Sequence, residues 1–242
     1  MPTGGAWTPL KRAAGNFAIS GGSGTVSPEG LLRQYVAATG GARALSRSEG
    51  GGGRHGGGGS SAARKVGRNL AGFLSSVRSA GLDEALREIG LANLIGRSVG
   101  EVAAGLLNAL AGPANTLDEH AARLALIKTN DELFLDSGTY EDIESKLSEV
   151  LDQAGLTGIL AKFFGHYLYE LFCRDFYEVW VKKVGSDAAG RSLGSVKDCI
   201  DSSVRAKFAG RDATHMNWRG KEGEVLAEQI MRETLEIFEV MG

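Results

Sequence analysis

Four histidines and two cysteines are the side chains on which metal or thiol chemistry would have to be built, and their spacing does not build it. His55, His120, His166 and His215 stand too far apart for any two to share a helical turn, whereas a closed zinc site needs four ligands brought together. His166 and Cys173, seven residues apart, face the same way on one helix and supply two ligands only. Cys173 and Cys199 fall inside helical patterns and give no disulfide framework, which fits a reducing, cytoplasmic compartment. Nucleophilic catalysis finds no Gly-x-Ser-x-Gly elbow, no cysteine followed by a suitably placed histidine, and no Ser-x-x-Lys with its supporting motifs. Gly21-Gly22-Ser23-Gly24-Thr25 is rich in glycine but lacks the lysine and the flanking strand of a phosphate-binding loop. Carboxylate pairs abound, yet they follow the polar faces of amphipathic helices, where a charge run is ordinarily solvated. The residues predict no catalytic centre, no cofactor and no metal, and hence a protein that is not an enzyme.

Charge is the next source of function, and it is unevenly placed. The chain has 242 residues and a net charge of −2. Up to Ser75, nine basic residues (Lys11, Arg12, Arg33, Arg43, Arg47, Arg54, Arg64, Lys65, Arg68) face two acidic ones, Glu29 and Glu49, which makes +7. The remaining 18 basic and 27 acidic residues leave −9. Such a split suits a basic tail that meets an anionic partner or folds back on its own acidic body. Trp7, Lys11, Arg12, Arg64, Lys65 and Arg68 are the candidate partner or phosphate contacts, and Trp7, Phe17 and Tyr35 the candidate stacking surfaces for bases. Against a DNA- or RNA-binding tether stand the thin spread of the arginines, an acidic body, and the lack of a helix-turn-helix pattern with a basic recognition helix.

These residues depend on two kinds of chain. Glycine occurs 36 times, and 17 of those fall between Gly4 and Gly59. Each glycine loses much backbone freedom on ordering and adds no side chain, so residues 1–59 read as a flexible, largely disordered basic tail. One short helix is predicted there at about 28–38, capped by Ser27 with Pro28 in its first turn and ending near Gly40. Gly50–Ser61 reads as a tether.

From residue 60 to 242 the apolar period is helical, with no convincing strand, and the predicted fold is an all-α multi-helix bundle. Gly81 closes a first helix, and a short one follows at about 82–89. Ser98, Thr116-Leu117-Asp118-Glu119 and Thr139-Tyr140-Glu141-Asp142 open the next three. Residues 158–184 hold eight of the seventeen aromatics and are apolar around most of the circumference, as a central buried helix requires. The last helices are expected at about 192–208 and 221–240, the final one burying Val225, Ile230, Leu235 and Phe238. No run approaches the roughly 18 apolar residues of a membrane span, and the first residues lack a signal peptide's apolar core.

Three stretches carry a family resemblance. The first is Trp7-Thr8-Pro9-Leu10-Lys11-Arg12-Ala13-Ala14-Gly15-Asn16-Phe17-Ala18, and the second is Leu31-Leu32-Arg33-Gln34-Tyr35-Val36 with the later basic Ala63-Arg64-Lys65-Val66-Gly67. The third runs from Gly72-Phe73-Leu74 through Gly81-Leu82-Asp83-Glu84-Ala85-Leu86-Arg87, then Leu94-Ile95-Gly96-Arg97 and Thr116-Leu117-Asp118-Glu119-His120-Ala121-Ala122-Arg123. In this arrangement the chain resembles the QatB component of the Qat anti-phage defence systems.

The resemblance implies a non-enzymatic subunit working beside an ATPase, a protein similar to deazaguanine-synthesis enzymes (QueC-like) and a TatD-like nuclease. It further implies that the QueC-like partner engages the amino-terminal tail, here Met1, Pro2, Thr3, Gly4 and Gly5, and modifies it covalently. Met1 is followed by Pro2 and Thr3 rather than glycine, so a free glycine amine requires trimming to Gly4 or Gly5. Deleting residues 1–10 is expected to abolish protection and leave the helical fold intact.

Overall fold

Helix signals in the sequence sit where the chain turns. In the computed structural model, which describes residues 5–22, 24–46, 60–211, 218 and 220–239, every assigned element is helical. They are α1 (Trp7–Ile19), α2 (Pro28–Ala38), α3 (Ala42–Ser46), α4 (Ser61–Ala80), α5 (Leu82–Glu88), a 3₁₀ turn (Ala92–Leu94), α6 (Val99–Ala111), α7 (Leu117–Leu133), α8 (Tyr140–Val184), α9 (Ser186–Phe208) and α10 (Lys221–Glu236). Ser98, Thr116 and Thr139 each form a capping box with the acidic residue three positions on. Ser27 caps α2 through the N–H of Gly30, as its position before Pro28 predicts. Helix α8 changes direction at Gly155, whose φ of 64° and ψ of 166° only glycine adopts without strain. This break separates the two helices that periodicity distinguishes there.

Helix α8 is the hub. It packs against α9, α7, α4, α10 and α1, which explains why its apolar residues wrap nearly the full circumference. Phe163, Phe164, Phe172, Phe176 and Trp180 are all buried, with Phe172 and Phe176 4.8 Å apart between ring centres.

Four expectations are corrected. In the amino-terminal region, where one short helix is predicted, the described residues hold three, and their apolar side chains join the common core. Trp7, Leu10, Ala14 and Phe17 recur at helical spacing on α1, and Phe17 lies 5.8 Å from Trp180. Leu31, Leu32, Tyr35 and Val36 of α2 are fully buried. Each such side chain contributes about 1.5–3 kcal/mol, so together they rival the roughly 5–15 kcal/mol net stability of a typical domain. That burial outweighs the entropic cost of the flanking glycines. The tether also ends sooner than Ser61: Ser60 is buried and donates its N–H to Leu45 O at 3.4 Å, and Ser61 begins α4. Residues 50–59 lie outside the described residues. At the other end, Val225 points outward and is 67% exposed, while Gly223, Ala227, Ile230 and Met231 form the buried stripe of α10. Helix α9 starts six residues before the expected position, with Gly185 at the turn.

Candidate functional site

Two buried tyrosine–carboxylate pairs flank one arginine beside the middle of α8. Tyr35, from α2, donates its hydroxyl to Asp175 Oδ2 at 2.8 Å, and Arg174 approaches both Asp175 oxygens at 3.3 Å. Tyr167, also from α8, donates to Asp118 Oδ1 at the start of α7. The other oxygen of Asp118 accepts the backbone N–H of Ala62, in the first turn of α4, at 3.1 Å. Arg174 follows Tyr167 by seven residues, two helical turns, so both side chains leave α8 on one side about 10 Å apart. Trp7 closes the group on the α1 side, edge-on to Tyr35 with 6.1 Å between ring centres.

Burial dominates the electrostatics. It pushes the Tyr35 and Tyr167 hydroxyls well above the ordinary tyrosine range, and the adjacent Asp175 and Asp118 carboxylates add to the effect. Burial also raises Asp118, against the opposing pull of the Tyr167 hydroxyl, the Ala62 N–H and the Arg174 charge. For Arg174, burial works against the charge, but the Asp175 hydrogen bond and the nearby anionic groups outweigh it and raise its pKa. Tyrosines held protonated in this way donate hydrogen bonds and do not act as bases at neutral pH. The cluster is a clamp joining α2, α4, α7 and α8, and it fixes the starts of α1 and α4 in one neighbourhood.

The residues singled out in the sequence divide around this clamp. Trp7 is 8% exposed and stacks into the core, and Phe17 and Tyr35 are buried, so none of the three offers a stacking face to a base. Arg64 is buried too, and its guanidinium pairs with Glu228 of α10 at 3.1 Å. Lys11 is half-buried, while Arg12 and Lys65 are exposed. Arg68 lines an open groove of about 260 Å³ with Asn69, Phe73, Leu110 and Trp218. Of the proposed tail, Gly5 is exposed and Met1, Pro2, Thr3 and Gly4 lie outside the described residues.

Asp118, Tyr167, Arg174 and Asp175 escape sequence reasoning. The one available signal is at Thr116: its capping box uses Glu119, which leaves Asp118 free for another partner.

His166 and Cys173 do not combine. His166 Nε2 lies 3.1 Å from Glu132 Oε1 of α7, whereas the Cys173 thiol is pushed up to about 11 by burial and stays protonated. No group of three or more His, Cys, Asp or Glu among the described residues is arranged to hold a metal ion. No helix of the described residues is long and apolar enough to cross a membrane.

No curated protein and no solved structure matches the chain. One family model does, described as the Qat anti-phage system associated protein QatB, and it spans residues 51–238, more than three quarters of the sequence. That span takes in α4 to α10, with the Asp118, Tyr167, Arg174 and Asp175 clamp inside it, while α1 to α3 precede it. By the extent of this match, the chain belongs to the QatB family of anti-phage defence components.

Proposed function

We propose that this chain is a non-enzymatic helical adaptor of its defence system, and that Met1–Gly5 is engaged, and covalently modified, by a QueC-like partner enzyme. An ATPase and a TatD-like nuclease of the same system complete the proposed assembly. The observation that carries the reading is the anchoring of Trp7. Gly5 and Ala6 are exposed, and the next residue locks into the core against Tyr35. A short glycine-containing segment thus leaves a rigid body at a defined point and can enter a partner's active site with little steric resistance. Docking of the body elsewhere on the same enzyme raises the local concentration of the segment.

Native mass spectrometry of the carboxyl-terminally tagged chain, expressed with its gene neighbours, tests the proposal. A complex with a neighbour and a trimmed or heavier amino-terminal segment is expected. A lone chain of unaltered mass would overturn it.

A further inference from the structure

The clamp gathers positive charge that the sequence scatters. Lys11 and Arg12 lie on the first turns of α1, which carries no acidic residue, and they make no ion pair among the described residues. Lys65 is exposed on α4 one turn beyond Ala62, the residue that Asp118 holds. Arg174, whose side chain is 36% exposed, is already paired with Asp175, so the unpaired charge of this neighbourhood rests on Lys11, Arg12 and Lys65. Glu119, whose carboxyl feels the Lys65 charge, is already engaged by the backbone N–H groups of Asn115 and Thr116.

Reach then limits where a partner sits. The six Cα-to-Cα steps from Met1 to Trp7 span at most about 22 Å. An ordinary protein interface covers about 800 Å² per partner, a disc roughly 16 Å in radius. An enzyme with Met1–Gly5 in its active site therefore lies over the starts of α1 and α4.

We infer that Lys11, Arg12 and Lys65 form a docking collar for an acidic surface around the active-site mouth of the enzyme that engages Met1–Gly5. This rests on the adaptor reading above. The occupant is a protein surface rather than a nucleic acid because the aromatic residues of this region are buried and provide no stacking platform. Three cations are also few for phosphate-driven binding. Residues from 76 onward carry −9, and the three of their acids that lie here are engaged, Asp118 by Tyr167 and Ala62, Asp175 by Tyr35 and Arg174, and Glu119 by backbone N–H groups. An acidic partner therefore meets its exposed cations at this neighbourhood and repulsion over much of the remaining surface.

The test is association of the full chain with the purified QueC-like enzyme at about 0.05 M and about 0.5 M salt, with a photo-crosslinker at Thr3 reporting tail engagement. The triple variant Lys11→Glu, Arg12→Glu, Lys65→Glu is compared with the single variant Arg97→Glu, an exposed arginine before α6. All four positions reach solvent, and circular dichroism confirms that the variants fold. An association rate at least about tenfold lower for the triple variant at low salt, with the difference shrinking at high salt and Arg97→Glu unchanged, supports the collar. Crosslinking through Thr3 with equal rates for the triple variant and wild type overturns the collar and leaves the adaptor reading standing. No association of the wild-type chain with the enzyme overturns the adaptor reading and the collar with it. Salt-sensitive binding to a short duplex DNA that the triple variant loses, without binding to the enzyme, reassigns these cations to nucleic acid and overturns the collar.

Discussion

At the scale of single residues, the clamp is more demanding than any surface ion pair in the molecule. Tyr35→Phe removes the hydroxyl from Asp175 and leaves a buried carboxylate with Arg174 as its remaining side-chain partner. The expected cost is about 1.5–3 kcal/mol, as for other hydrogen bonds to charged groups, read as a lower midpoint in urea unfolding with an unchanged slope. A second test is electrostatic. The His166 imidazole, and Lys162 at 3.2 Å, hold the Glu132 carboxyl down to about 2 against burial, from an ordinary value of 4.5. A carboxyl lowered in the folded state contributes stability that is present above the unfolded value and lost as pH falls through the folded one. Stability should therefore drop between about pH 4.5 and 2, and Glu132→Gln should flatten that limb in thermal unfolding measured across the range. Asp118 has the opposite sign: its raised pKa makes it a stabilising group at low pH that loses this contribution as pH rises through the folded value. The partners of Asp118 and Asp175 lie 49 and 140 residues away, at Tyr167 and Tyr35. Local spacing cannot announce pairs of that separation, so the sequence offers a capping motif and an aromatic-rich helix and no sign that they meet.

At the scale of elements, caps and periodicity made most of the bundle legible. Ser27, Ser98, Thr116 and Thr139 open helices where their side chains predict, and Gly81 and Gly112 close α4 and α6. Helix α1 is the instructive miss. Its Trp7, Leu10, Ala14 and Phe17 keep the helical period, but no side chain caps it, and glycine-rich neighbours dilute the signal. The same helix changes the design of a truncation. Trp7 and Leu10 are core residues, so deleting residues 1–10 removes packing as well as the proposed tail, contrary to the expectation that the fold stays intact. Deleting residues 1–5 separates the two effects. The shorter deletion should leave the melting temperature within about a degree and abolish partner engagement. The longer one should also lower stability by several kcal/mol, since each large side chain uncovers about 1.5–3 kcal/mol of burial, visible by calorimetry.

At the scale of the whole molecule, the amino-terminal helices act as one more layer of the bundle. Helix α1 covers the Phe172 and Trp180 side of α8 with α2, and α3 meets the end of α10, where Glu239 accepts the Ala42 N–H at 2.6 Å. A protease site placed between residues 47 and 59 should therefore give two bands on a denaturing gel and one undissociated mass in native spectrometry. Separation of the two pieces after cutting would show that α1 to α3 are held by the connection and not by packing. The Leu45-to-Ser60 contact brings the two ends of that connection together whatever lies between them. For a loop with fixed ends, each doubling of length costs only about 0.6 kcal/mol. Insertions and losses of glycine between these two residues are then nearly invisible to selection for stability, and among relatives this is the stretch where length is expected to drift.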